Sequence, residues 1–151
     1  MATTNYIIKN VNGSATALDA SQVLWTVRTT MSYTVFKLHV GSTTADEHLV
    51  NLVPSGAKIV SARLLLRTAF AAPGITSATL GLGYVAGDND NALVTNFNGR
   101  GAVGSQGTVG TAEPYDSDGG QIWITLTTDT AMENLTAGLV AIQINYVLPT
   151  V

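Results

Sequence analysis

Cysteine is missing from all 151 residues, which excludes a disulfide framework, a thiolate zinc site and a cysteine nucleophile. The redox compartment stays open, since a chain without cysteine works in either setting. Charge is scarce as well: Asp, Glu, Lys and Arg make up 11% of the chain, against roughly 25% in an ordinary soluble domain. Lys and Arg together number 7 and the formal net charge is −3, so there is no basic footprint for nucleic acid or anionic lipid. The longest apolar stretches, such as "GLVAI" and "LLL", fall far short of a membrane span. The first residues, "MATTNYIIKN", have no basic region, apolar segment or small-residue cleavage pattern, so no signal peptide is expected.

In place of charge stand Thr, Ser, Asn, Gln and 15 glycines. A surface low in charge and rich in Thr is one that other protein can cover. It also suits exposed strand faces, because Thr is β-branched. The length fits one domain, residues 1–151, with enough chain for a core that needs no staples.

Period-2 alternation dominates. From Lys58 to Phe70 the even positions Lys58, Val60, Ala62, Leu64, Leu66, Thr68 and Phe70 are expected inward, and Arg63 and Arg67 outward. "SATLGLGYV" places Ala78, Leu80, Leu82 and Tyr84 on one side, and "QIWITLTT" places Ile122, Ile124 and Leu126 there. "LVAIQINYVL" turns Val140, Ile142, Ile144, Tyr146 and Leu148 inward, with Gln143 and Asn145 outward. "NYIIKNV" is a first strand, and residues 22–40 hold two strands or one bent strand, broken near Thr29 to Ser32. Gly-, Pro- and Asn-rich clusters punctuate these segments every 10 to 20 residues. The fold class expected is all-β: an antiparallel β-sandwich, jelly-roll-like. One helical turn is expected near 129–137, capped by Asp129 or Thr130 and ended by Gly138. No segment is long enough and periodic enough for a crossover helix.

Several motifs invite a chemical reading. "GDNDN", residues 87–91, is dense in oxygen ligands, but the EF-hand frame breaks at Ala92, Leu93 and Gly99. A tight turn is the preferred reading, and a looser calcium site on Asp88 and Asp90 is its alternative. "GRGAVG", Gly99 to Gly104, matches a dinucleotide fingerprint but lacks the following helix, so it reads as a loop. His48 beside Asp46 forms an acid–base pair only on paper, with no nucleophile elbow in the chain. Glu113, Asp116 and Asp118 cluster near Tyr115, where a glycosidase would need two acids across a cleft. A turn before a strand accounts for them. Trp123 projects from the polar face of its strand, as an interface anchor or sugar platform would. Asn134-Leu135-Thr136 matches a glycosylation sequon, which without an export signal carries little. No catalytic residue and no cofactor is expected.

Residues 53–95, "VPSGAKIVSARLLLRTAFAAPGITSATLGLGYVAGDNDNALVT", followed by "ITLTTDTAMENLTAGLVAIQINYV", carry a resemblance. Over roughly residues 50–147 the chain resembles small all-β virion proteins of tailed bacteriophages, of the capsid decoration (cement, or auxiliary) type. The resemblance implies a non-enzymatic structural protein, made in the host cytoplasm, that sits on the outer capsid shell and bridges capsomers. Its implied partners are the major capsid protein and two further copies of itself in a homotrimer, with neither nucleic acid nor membrane. Another virion component (tail, neck or head-fibre base) and a carbohydrate- or receptor-binding module are the rival readings. Expected contact residues are Trp25, Arg63, Arg67 and Trp123, with residues 1–20 as an extended interaction arm.

Overall fold

Alternating apolar residues in the computed structural model, which describes residues 2–7, 23–54, 56–83, 93–104, 106–108, 115–116 and 122–148, line the space between two antiparallel sheets. The strands are β1 (Ala2–Ile7), β2 (Val23–Ser32), β3 (Thr44–His48), β4 (Lys58–Ala71), β5 (Ala78–Gly83), β6 (Val94–Asn98), β7 (Gln106–Thr108), β8 (Tyr115–Asp116), β9 (Trp123–Thr128) and β10 (Ala137–Val147). One sheet runs β1-β2-β10-β4-β7, with β8 also beside β4, and the other runs β3-β9-β5-β6. The antiparallel pairs β2·β10, β3·β9, β4·β7 and β5·β6 are nested one inside the next. They describe one long hairpin rolled up so that β10 meets β4 and β9 meets β5. That is the strand order of a jelly roll, and the expected antiparallel sandwich is what the chain forms.

The inward sets expected for β5, β9 and β10 hold at Ala78, Leu80, Leu82, Ile122, Ile124, Leu126, Val140, Ile142, Ile144 and Tyr146, which are all buried, while Leu148 is half-buried against the core. Each fully buried Leu or Ile contributes about 1.5–3 kcal/mol relative to leaving it in water. Tyr84 lies outside the described residues. The even-position reading of β4 holds at Ala62, Leu64, Leu66 and Phe70 but fails at its start, where Ile59 is buried and Val60 is 46% exposed. The reason is a register shift: Tyr146 pairs with Ile59 while Asn145 pairs with Ser61, so Val60 is an extra residue. A bulge of this kind reverses the alternation on one side of it. A second shift, between Leu139↔Thr68 and Val140↔Leu66, makes Arg67 an extra residue too, and Arg67 and Thr68 are both exposed. In β6 an extra residue falls between Val94 and Phe97, where Asn96 takes a φ of 52°. Asn is among the few side chains that accept this left-handed geometry.

Residues 22–40 form neither two strands nor one bent strand. β2 ends at Ser32, and Tyr33–Phe36 form a single turn of helix, α1, whose N-cap Ser32 accepts from the Thr34 N–H. β-branched and aromatic residues favour strand here, but burial of Phe36 overrides them: it is fully buried and meets Phe70 edge-to-face at 5.8 Å. The turn expected near 129–137 is a 3₁₀ turn, Met132–Asn134, whose N-cap Ala131 makes no side-chain cap. Asp129 is turned elsewhere. Its carboxylate accepts from the Thr76 and Ser77 N–H groups and from the Thr76 hydroxyl. This ties the end of β9 to the β4–β5 turn. Gly138 belongs to β10, not to a helix end.

Phe70 is held at a corner with no spare volume. A Cβ on Gly138 would lie 2.3 Å from the Phe70 ring, and one on Gly99 would lie 3.3 Å from it. Gly138 also has a φ of +147°, so a side chain there is opposed by backbone and packing together. Gly138→Ala is expected to destabilise the protein by on the order of 3 kcal/mol. Its urea midpoint checks this, and a double-mutant cycle with Phe70→Ala should show the two changes to be strongly non-additive. Asp129 gives a second expectation. The Thr76 hydroxyl, then the Ser77 and Thr76 N–H groups, hold its carboxyl below the ordinary 3.8. A depressed folded-state pKa adds stability above the unfolded pKa, which is lost as pH falls through the folded one. The Tm deficit of Asp129→Ala should be full near neutral pH and shrink as pH drops through and below about 4.

Candidate interaction surface

The outward side chains of β10 organise the exposed face of the larger sheet. Gln143 stands opposite Arg28 on β2 and Arg63 on β4, and Asn145 opposite Thr26 and Ser61. Gln143 Oε1 accepts from Arg28 Nε at 3.0 Å and from Arg63 Nη2 at 2.8 Å. Asn145 Oδ1 accepts from the Thr26 hydroxyl at 2.7 Å, and its Nδ2 donates to Ser61 Oγ at 2.7 Å. Each amide thus ties three strands into one row. The Gln143 oxygen accepts from both guanidinium groups and so holds them in one row. One step along the strands lie Leu65 and Ala141, and Arg67 projects at its bulge. Arg28, Arg63, Leu65, Arg67, Ala141 and Gln143 line a shallow depression of about 260 Å³.

The second sheet presents a different face. His48 on β3 and Trp123 on β9 are cross-strand partners, stacked with centroids 4.7 Å apart and planes at 15°. Next to them Thr125 donates to Asp46 Oδ1 at 2.6 Å, and Thr125 is buried although it sits on the face expected to be open. Gly83 and Gly81 on β5 stand opposite Trp123 and Thr125. Glu47 takes a histidine: its Oε1 lies 2.7 Å from His39 Nε2. The Gly41 N–H donates to Glu133 Oε2 and holds that carboxyl below its ordinary range. Among the described residues, Leu38, Val40, Val50 and Val103 are the large apolar residues most exposed, and all lie on connections between strands.

The four residues expected at the interface therefore do not share one surface. Arg63 and Arg67 share the outer face of the larger sheet, and Trp123 stands on the other sheet. Trp25 packs against the core, stacked on Tyr146 at 6.4 Å. Burial raises the Tyr146 hydroxyl above its ordinary pKa. Arg28 was not among the expected residues: its distance in sequence from Arg63 hides a proximity that only the β2-β10-β4 order creates. Asp88, Asp90, Glu113 and Asp118 lie outside the described residues. Tyr115 and Asp116 form β8, opposite Ile59 and Lys58. Among the described residues no three His, Asp or Glu side chains gather as metal ligands would, and no helix is long and apolar enough to cross a membrane.

No family model matches this chain, and no curated protein matches it. Solved structures do. A chain of the cyanophage Pam1 capsid asymmetric unit superposes with a TM-score of 0.54 at 14% identity, covering 83% of this chain and 85% of its own. A chain of the acidic stable capsid structure of Helicobacter pylori bacteriophage KHP30 superposes with a TM-score of 0.50 at 10% identity, covering 99% of this chain and 95% of its own. At such identities the likeness is one of fold.

The amide rows give a direct stability expectation. Thr26 is 4% exposed, and Asn145→Leu would leave its hydroxyl without its present acceptor. The expected loss is about 1–3 kcal/mol by urea denaturation. Asn145→Asp keeps that acceptor and loses only the donor to Ser61, so its loss should be smaller.

Proposed function

We propose that this chain is a non-enzymatic structural protein of a bacteriophage virion, and that its role is decoration of the outer capsid shell. The observation that carries the reading is the fold, which superposes on chains from two phage capsid structures over 83% and 99% of this sequence. The surface supports it. Charge is sparse, Thr and amide side chains stand at many outward positions, and Asp46, Asp129 and Glu133 tie loops and strands together. In a shell each contact is repeated many times, so avidity makes modest contacts sufficient. The partners in this reading are the major capsid protein and two further copies of the chain in a homotrimer. Of the expected arm, residues 8–20 lie outside the described residues, and residues 2–7 form β1, which extends the sheet edge beside β2 and offers it for contact. Trp123 and the connections carrying Leu38, Val40 and Val103 are surfaces for shell contact.

A second reading, a glycan-binding module, is favoured by the Trp123 ring held by His48 opposite the side-chain-free Gly83. Reconstruction of the particle that carries this protein separates the two. Decoration requires regular density for the jelly roll on the outer shell between capsomers. Density confined to tail, neck or fibre would overturn the decoration role. Glycan binding abolished by Trp123→Ala would favour the second reading.

A further inference from the structure

The connection between α1 and β3 holds two apolar side chains out in solvent. Leu38 is 78% exposed and Val40 is 75% exposed. The residues that alternate with them are pinned to the domain. Glu47 Oε1 lies 2.7 Å from His39 Nε2, and the Gly41 N–H donates to Glu133 Oε2 at 2.8 Å. Just beyond, the Met132 N–H donates to the Ser42 carbonyl and the Thr128 N–H to the Thr43 carbonyl, each at 2.8 Å. A single exposed apolar residue is ordinary. Two on a braced tip have a shape fixed before any partner arrives, which spares the ordering cost of binding.

At the other end of β3 lies a recess of about 220 Å³, lined by Thr29, His48, Leu49, Val50 and Leu52. Leu49 and Leu52 are buried, while Val50 is 63% exposed and marks the open side. A cavity of about 150 Å³ already takes benzene, so a branched aliphatic side chain fits in size. The tip and recess of one chain are kept apart by β3, which from Thr44 to His48 spans roughly 13 Å by strand rise.

We propose that the Leu38–Val40 tip docks in this recess on a second copy of the chain. Two aliphatic side chains bury far less than the roughly 800 Å² per partner that a stable pair needs. One such contact is therefore weak, and each copy has to give both its tip and its recess, as copies in a closed symmetric assembly do. A lipid surface suits the tip less well, because interfacial anchors are rich in Lys and Arg. The described charged groups beside this tip are the carboxylates of Glu47 and Glu133, His39, and Lys37, whose Nζ lies 5.9 Å from the centre of the Tyr33 ring. The inference rests on the virion reading in taking copies to associate, as its homotrimer requires. It refines that reading too: the connection carrying Leu38 and Val40 meets the neighbouring copy, and Trp123 and Val103 are left to face the shell.

The test uses the purified full chain, whose lack of cysteine makes any disulfide report an introduced pair. Val40→Cys and Val50→Cys chains are mixed under mild oxidation and separated without reductant. A disulfide needs Cα atoms within about 7 Å. The mixture is expected to form a covalent pair about tenfold faster, or more, than either variant alone or Val40→Cys mixed with Val103→Cys. Docking raises the effective concentration of the two thiols. Sedimentation velocity should show the wild-type assembly lost in Leu38→Ser/Val40→Ser, with the thermal midpoint retained because both side chains are already in water. A wild-type chain that sediments only as a monomer, no excess crosslink in the mixture, equal crosslinking with Val103→Cys, or an assembly unchanged by the Leu38 and Val40 double variant would each overturn the contact. A chain that crosslinks in this way but is absent from the outer shell keeps the contact and loses the decoration role. A shell-bound chain without the crosslink does the reverse.

Discussion

The two-sided pairing of β10 is the constraint on which the rest of the molecule depends. It is the last strand in sequence, yet it lies between β2 and β4 and closes the rolled hairpin. A strand in that position must satisfy neighbours on both edges and both faces. Its inward residues Val140, Ile142, Ile144 and Tyr146 fill the core, and its outward amides Gln143 and Asn145 reach sideways to both flanking strands. An amide suits this place because it offers an acceptor with two lone pairs and a donor on one short stem. Closure is long-range, so β2 has no partner on this side until the end of the chain is present. Folding of such a topology is governed by those distant pairings.

Bulges then decide what the closed sheet shows to the outside. Without the extra residue at Val60, the alternation from Ala62 back to Lys58 would have stayed in phase and Ile59 would have pointed outward. With the extra residue at Arg67, two successive residues, Arg67 and Thr68, turn toward solvent. Irregular positions in an otherwise regular sheet are where side chains are re-aimed. Here the re-aimed residue is a cation beside two others.

The parts of the fold that sequence patterning captures are those where a single local rule operates. Strict alternation marks β5, β9 and β10, and their buried residues follow it. Alternation also marks the body of β4, but it carries no signal for a bulge, because the extra residue is defined by the partner strand. Local propensity misjudges residues 33–36, where Tyr, Thr, Val and Phe favour strand while the pocket beside Phe70 draws Phe36 into a helical turn. The same limit applies to the surface. Arg63 and Arg67 announce themselves by sharing one strand face. Arg28 joins them only through β10, and Trp25 and Trp123, alike on paper, are separated by the core. Asp129 resembles a helix cap in sequence, and its capping geometry is spent on Thr76 and Ser77 instead.

Scarcity of charge gives position its weight. In a chain with 11% charged residues, most of the surface generates little field, so each outward arginine on β2 and β4 weighs more in the local potential than it would on an ordinary surface. Screening limits the reach of that potential to about 8 Å at physiological ionic strength. It therefore acts on orientation and register at close approach more than on distant capture. The outer face of the second sheet instead presents the stacked His48 and Trp123, with the Asp46 carboxylate accepting from Thr125 beside them, and depends more on shape. A domain with one electrostatic face and one shape-dependent face is polar across its thickness, and it can be bound in a defined sense between unlike neighbours. The strand order alone does not supply that asymmetry. It comes from which outward positions of β2, β4 and β10 carry arginine, and from the amide that holds two of them in one row.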